Sequence, residues 1–236
     1  MPLNAPISVI IPCLNEALVC TRRLEALQSL RNDGHELVLV DGGSTDGTAD
    51  LARPWVDRLL TSAPGRAIQM NRGAGAASGE VLWFLHLDTE LPPGAAEQVL
   101  HAALGGPGWG RFDVRLSGDA PMFRVIERSM NLKSRLSGIA TGDQGIFVHR
   151  RLFERVGGFP EIALMEDIAV SRRLKRLARP ACLRVRLVAS SRRWERDGIW
   201  RTVLLMWSLR AAYRLGADPA WLARLYYPCA SPMRVS

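Results

Sequence analysis

Buried-strand runs alternate with helix-like runs through the first ninety residues, and this alternation constrains the fold more than any other feature. Ile7–Ile11 is a β-branched run that stops at Pro12, as a buried parallel strand does. Asn15–Leu30 then carries apolar residues at helical spacing, Leu24, Leu27 and Leu30 among them. Glu36–Val40 reads as a second buried strand ending at Asp41, and in the glycine-rich turn that follows Ser44 or Thr45 caps a short helix to Ala52. Val56–Leu60 and Val81–Leu85 are further strands, with a helix over Gly65–Ala77 between them. This order predicts an α/β fold with a mostly parallel central sheet flanked by helices. Polar residues gather where strands end: Asn15 and Glu16, Asp41, Asp88. Ligands of open α/β sheets bind beyond the carboxyl ends of the strands, so these residues mark a site.

The alternation loosens after Pro93. Strands are expected over Trp109–Leu116, Gly145–His149 and Leu183–Ala189, and helices over Pro121–Leu136 and Met165–Leu177. Ile199–Leu215 reads as a helix apolar nearly all round, interrupted by Arg201, Arg210 and Arg214; a membrane-surface element and a core or dimer element fit it equally. No internal repeat, low-complexity segment or linker interrupts the chain, so 1–236 is expected to form one domain. Its 236 residues suffice to bury a core without disulfides, and the scattered Cys13, Cys20, Cys182 and Cys229 argue for reduced thiols in a cytoplasmic setting. Met1–Pro12 lacks the charged leader of a signal peptide, and no run of about 18 uncharged apolar residues predicts a transmembrane helix.

Charge is divided unevenly. Residues 1–100 hold 7 basic and 12 acidic side chains, and the remaining 136 hold 24 basic and 11 acidic. The excess is almost all arginine, since Lys133 and Lys175 are the two lysines. Either codon usage or an anionic partner accounts for it: phosphate, a membrane surface or nucleic acid. Nucleic acid ranks last, because the arginines are not interleaved with a stacking platform.

Taken singly, the polar residues keep two readings. Asp88 is either the N-cap acid of a helix over Pro92–Leu104 or a hard oxygen ligand for Mg²⁺ or Mn²⁺. Asp41 before Gly42-Gly43-Ser44-Thr45-Asp46-Gly47 is either an Asx-type turn or a nucleoside-binding strand end. Gly73-Ala74-Gly75-Ala76-Ala77-Ser78-Gly79 looks like a dinucleotide loop but ends a helical run before a strand, so its small residues are assigned to helix–sheet packing.

Three segments together resemble the family 2 glycosyltransferases: Ile10-Ile11-Pro12-Cys13-Leu14-Asn15-Glu16, Val40-Asp41-Gly42-Gly43-Ser44-Thr45-Asp46-Gly47-Thr48 and Phe84-Leu85-His86-Leu87-Asp88-Thr89. The resemblance runs from Ile7 to about Trp194, and Gly65-Arg66-Ala67-Ile68-Gln69-Met70-Asn71 is similar to a small bacterial subgroup with an unassigned acceptor. It implies a GT-A fold, a nucleotide-sugar donor and a divalent cation, Mn²⁺ or Mg²⁺. By position, Pro12, Asn15 and Glu16 would line the nucleoside pocket, Asp41 would hold the base, and Arg66 and Asn71 would lie near the nucleotide. Asp88 matches the metal-binding acid of the Asp-x-Asp motif, while His86 stands where the first acid belongs; weaker metal binding is the expected consequence. Glu166-Asp167 resembles the Glu-Asp motif whose Asp is the general base, so Asp167 is chosen as base with Glu166 beside it. Asp143 and Gln144 lie in a turn similar to the one beneath donor sugar and acceptor. In the partial Gln-x-x-Arg-Trp match, Ser190 replaces Gln, and Arg193 and Trp194 are expected on leaving phosphate and acceptor.

The expected protein is therefore a non-processive, inverting, metal-assisted glycosyltransferase with a UDP-linked donor. Residues 1–92 would form the nucleotide-binding half, 93–198 the acceptor half and 199–236 a helical segment. The acceptor stays open, with a lipid-linked or anionic one a candidate, and peripheral membrane contact through 199–215 is one of the two readings of that helix. The rivals are a catalytically degenerate nucleotide-binding module and a sugar-phosphate nucleotidyltransferase, which lacks its glycine-rich phosphate loop here.

Overall fold

The computed structural model describes residues 6–227. Cys229 and the first residues of the expected leader-free segment Met1–Pro12 lie outside them, as does the end of the 199–236 segment. Among the described residues seven strands form one sheet: β1 (Ile7–Cys13), β2 (Glu36–Asp41), β3 (Arg58–Thr61), β4 (Val81–Phe84), β5 (Trp109–Leu116), β6 (Phe147–His149) and β7 (Ala181–Ala189). Their order is β3-β2-β1-β4-β6-β5-β7. β1, β2, β3 and β4 pair in parallel, as do β5 and β7, whereas β6 runs antiparallel to both of its neighbours. Strands from both halves of the chain thus share one sheet.

β1, β2 and β4 are buried on both faces, which explains their unbroken apolar runs. On one face lie α1 (Ala17–Ala26), α2 (Gln28–Asn32) and α3 (Thr48–Ala52), with buried residues Cys20, Leu24, Leu30 and Ala52 in the core cluster. On the other lies α4 (Arg66–Ala76), whose Ala67, Met70 and Ala74 pack with Ile10, Val38 and Val40. Gly73 is where α4 meets the sheet, since a Cβ there would come within 2.5 Å of Ile10 Cγ2. Gly73, Ala74 and Ala77 pack α4 against the sheet as expected, whereas Gly75 and Ser78 are exposed, and the helix continues through the small residues to Ala76.

The helix expected over Asn15–Leu30 divides at Leu27. The Gln28 side-chain amide donates to the Leu24 carbonyl at 2.9 Å and to the Trp55 carbonyl at 2.9 Å, which takes up the acceptor a continuous helix would use. α3 starts after Gly47 at φ +85°, with the Thr48 N–H bonded to Asp46 Oδ1 at 3.1 Å, so neither Ser44 nor Thr45 caps it. α5 (Ala95–Leu104) starts after Gly94 at φ +70°, three residues beyond Pro92. α6 (Pro121–Ser137) and α8 (Glu166–Lys175) follow expectation closely. Three short helices were not anticipated: α7 (Arg150–Arg155), α9 (Arg192–Asp197) and α11 (Pro219–Tyr226). α10 (Ile199–Arg214) buries only Thr202 and Leu209, and Leu209 joins Leu164, Met165, Ile168 and Leu222 in a satellite core beneath α8. Among the described residues no helix is long and apolar enough to cross a membrane, and Cys13, Cys20 and Cys182 are free thiols.

Candidate active site

β1 and β2 end side by side, with Cys13 in register with Asp41. Two loops leave this edge and are laced together. Asn15 sits in the left-handed region at φ +55°, donates its N–H to Ser44 Oγ at 2.8 Å and accepts the Thr45 N–H on Oδ1 at 2.9 Å. The Glu16 N–H bonds Thr48 Oγ1 at 2.9 Å and the Ala17 N–H bonds Asp46 Oδ2 at 3.0 Å, which satisfies donors at the start of α1. Buried Gln69 reaches from α4 to the Cys13 and Val40 carbonyls at 2.7 and 2.9 Å, fixing that helix over the strand ends. Sequence reading passed over Gln69; a lone amide among apolar residues on a helix face was the available signal.

Asp41 is only 4% exposed, and its carboxylate accepts the Gly43 and Ser44 N–H groups at 3.1 and 3.0 Å together with the Ser44 hydroxyl. The Asx-type turn is realised, and the residue expected to hold a base shapes the loop. Pro12 lies half-buried in register with Val40. Asn71 is likewise occupied: its amide donates to the Phe159 carbonyl at 2.8 Å and accepts the Phe159 N–H at 2.9 Å.

The other acids converge. Asp88, beyond β4, and Glu16, beyond β1, share the Arg192 guanidinium at 3.3 and 3.7 Å. Desolvation and the Asp88 charge push the Glu16 carboxyl up, while Arg192 and His86 oppose this. His86 Nδ1 lies 3.5 Å from Asp143 Oδ1. Desolvation alone would raise the Asp143 carboxyl; the His86 hydrogen bond and charge, with Arg66 and Arg210, hold it down at about 2. Gly142 passes so close to His86 that a Cβ would meet Nε2 at 2.8 Å.

α8 delivers the final pair. Met165 precedes it at φ +71° and is, with Asn15, one of two non-glycine residues in the left-handed region among those described. Such backbone costs about 1–3 kcal/mol and concentrates at functional sites. Asp167 Oδ2 accepts the Gly142 N–H at 2.9 Å and Oδ1 the Ile168 N–H at 2.6 Å, which orients the carboxylate and leaves further lone pairs open. Glu166 is buried; desolvation first, then the Asp167 charge, push its carboxyl up to about 7 against the pull of Arg66 and His86.

Arg193 and Trp194, expected at phosphate and acceptor, make contacts within the protein. Arg193 stacks over the Tyr226 ring at 3.6 Å and donates to the Tyr226 carbonyl at 2.8 Å, and Trp194 packs against the cluster around Val114, Leu116 and Phe123. Arg192, which the motif comparison overlooked, reaches the acids, because the short helix α9 turns successive residues to different sides. Gln144 is 1% exposed, its Oε1 accepting the Thr141 N–H at 3.1 Å. Among the described residues no three His, Cys, Asp or Glu side chains are grouped to hold a metal ion.

The mostly parallel seven-stranded sheet flanked by helices is the GT-A fold of glycosyltransferases, as the solved structures it superposes on show. The mannosyltransferase PcManGT of Pyrobaculum calidifontis, solved with GDP-Man and Mn²⁺, superposes with a TM-score of 0.64 at 21% identity over 98% of this chain and 77% of that one. Glucosyl-3-phosphoglycerate synthase of Mycobacterium tuberculosis, solved with Mg²⁺ and UDP, superposes at 0.56 with 22% identity, over 78% of this chain and 70% of that one. The model of glycosyl transferase family 2 matches residues 8–156, and the chain belongs to that family. A PGL/p-HBAD biosynthesis glycosyltransferase of Mycobacterium bovis is 41% identical over 91 residues. That match takes in 36% of each chain, so only about a third of that relative's length is spanned.

Proposed function

We propose that the protein is an inverting, metal-assisted, non-processive glycosyltransferase that moves a sugar from a UDP-linked donor to an acceptor hydroxyl. The observation that carries this reading is the gathering of Glu16, His86, Asp88, Asp143, Glu166 and Asp167 from four separate segments at one sheet edge. Two proteins of the same fold carry a sugar nucleotide or nucleoside diphosphate with a divalent cation.

The residues fit such a cation in one way. Mg²⁺ and Mn²⁺ need only one or two protein ligands when substrate phosphates supply the rest, and Asp88 with His86 would be those ligands. Arg192 already bridges Asp88 and Glu16, so this spot draws positive charge. When bound, the cation would neutralise charge on the departing diphosphate. Arg66, at the start of α4, adds charge on the same side, and Pro12, Asn15 and Glu16 frame the nucleoside, with Asp41 and Asn71 holding the surrounding segments in place. Asp143, beside His86, borders the sugar, and the buried Gln144 shapes the turn that carries it.

Asp167 takes the acceptor hydroxyl proton as the acceptor oxygen bonds the anomeric carbon. The bond from that carbon to the diphosphate oxygen breaks and its electron pair leaves with the nucleoside diphosphate. One displacement inverts the anomeric centre. Peripheral membrane contact through 199–215 belongs to the same reading: Trp200, Leu204 and Trp207 are 64%, 61% and 60% exposed at positions i, i+4 and i+7 of α10.

Thermal unfolding with a panel of nucleotides, with and without Mn²⁺, tests the donor site. Ligand at 100 times its Kd stabilises by about 2.7 kcal/mol. A Mn²⁺-dependent shift with UDP that Asp88→Ala abolishes is the expected result. A well-folded sample that no nucleotide shifts would overturn the reading.

A further inference from the structure

A cavity of about 510 Å³ opens between the last turns of α6, α8 and α10, on the other side of the 141–145 turn from His86 and Asp167. Six cations line it: Lys133 from α6, Arg172 and Lys175 from α8, Arg176 just after it, and Arg210 and Arg214 from α10. Among the described residues no carboxylate lines it. Some of these cations have local partners. Lys175 Nζ donates to the Ser137 carbonyl at 2.5 Å, and Arg172 lies 5.3 Å from the Tyr213 ring centroid. The like charges still repel: desolvation, then Arg210 and Arg214, push the Lys133 ammonium down.

Two buried donors at this cavity have no partner among the described residues. Gln144 Nε2 is one, on a side chain 1% exposed, and Arg210 Nε is the other. Burying a donor without a partner is unfavourable, so natural folds rarely keep one without a reason. Cations near helix C-termini ease the helix dipole. That accounts for each arginine separately, but not for their convergence on one cavity or for the unpaired Gln144 Nε2.

We propose that this cavity holds the phosphate of a phosphorylated acceptor. Guanidinium forks match phosphate oxygens in pairs, and the volume falls within the roughly 300–1,000 Å³ of small-molecule sites, leaving room beyond one phosphate. The 141–145 turn connects the two places. Its Gly142 N–H orients Asp167, its Thr141 and Gln144 line the cavity, and Ile168, next to Asp167, lines it too. An acceptor anchored by its phosphate would present a hydroxyl across this turn to Asp167. This assignment rests on the reading of Asp167 as base.

The test is thermal unfolding of the full chain with inorganic phosphate at constant ionic strength, repeated with saturating UDP and Mn²⁺, on wild type and on the Lys133→Gln/Arg214→Gln double variant. Saturable stabilisation that persists with UDP present, and weakens at least tenfold in the double variant while the UDP shift is kept, is expected. Without ligand, the double variant should be at least as stable as wild type, since repulsion is relieved. Absence of saturable phosphate binding, its displacement by UDP, or equal binding by the variant would overturn the assignment. A phosphate shift without any UDP shift would leave the cavity standing and sink the donor reading. Two further probes separate the sources of the phosphate. Glycerol 3-phosphate binding more tightly than inorganic phosphate marks a soluble acceptor. Cosedimentation of wild type, but not the variant, with phosphatidylglycerol vesicles marks a lipid headgroup.

Discussion

Glu166 and Asp167 are adjacent in sequence and sit in different surroundings. Glu166 is 6% exposed and its carboxyl is raised, whereas Asp167 is half-buried and oriented by two backbone N–H groups. An oriented carboxylate with free lone pairs suits proton acceptance, and a buried one suits shaping the field around it. Asp167→Asn should therefore lower kcat by about 10²- to 10⁴-fold with the UDP-induced thermal shift unchanged; equal turnover would remove Asp167 from the reaction. Glu166 gives a stability prediction. Its folded-state value lies above the ordinary 4.5, so the fold favours the protonated carboxyl. That contribution is complete below about pH 4.5 and is lost as pH rises through 7. Relative to Glu166→Gln, wild type should lose on the order of 2–3 kcal/mol between pH 5 and 8, read by urea denaturation at each pH. A constant difference across that range would show that the side chain does not titrate there.

Single elements carry a different kind of constraint. In α4, Gly73 and Gly75 are two residues apart and meet opposite surroundings. A Cβ at 73 would lie 2.5 Å from Ile10 Cγ2 and 3.1 Å from Val40 Cγ2, while one at 75 meets nothing within 4 Å. Overpacking costs about 1–3 kcal/mol and the helix-propensity gain of Gly→Ala is about 1. Gly73→Ala should accordingly lower Tm by a few degrees and Gly75→Ala should raise it slightly. The same sign for both variants would mean that α4 does not rest on β1 and β2 at Gly73. Periodicity announced α4, α6, α8 and the long strands, because their signals span enough residues to be local. It did not announce α7, α9 and α11, which run six to eight residues each. Nor could it orient β6, three residues long, whose direction depends on the strands beside it.

At the scale of the whole molecule, the divided charge resolves into places. The arginine excess of residues 101–236 converges in part on the cavity between α6, α8 and α10. α10 meanwhile leaves two tryptophans exposed on one stripe. Aromatic side chains at a membrane interface and nearby cations act together, each arginine contributing on the order of 1 kcal/mol at an anionic surface. Trp200→Ser/Trp207→Ser should reduce cosedimentation with phosphatidylglycerol vesicles several-fold without moving Tm, whereas unchanged binding would assign the stripe to some other contact. What the sequence determined by itself was local in origin: the strand and helix periods, the acids placed where strands stop, and the motif spacing that points to the family. The tertiary structure decided which of those residues share a site. It turned Asp41 into its own loop, set Arg193 on Tyr226, and brought Arg192 to Asp88 across 104 residues of chain. Such pairings depend on how distant elements pack and on the phase of a short helix, and one-dimensional spacing encodes neither.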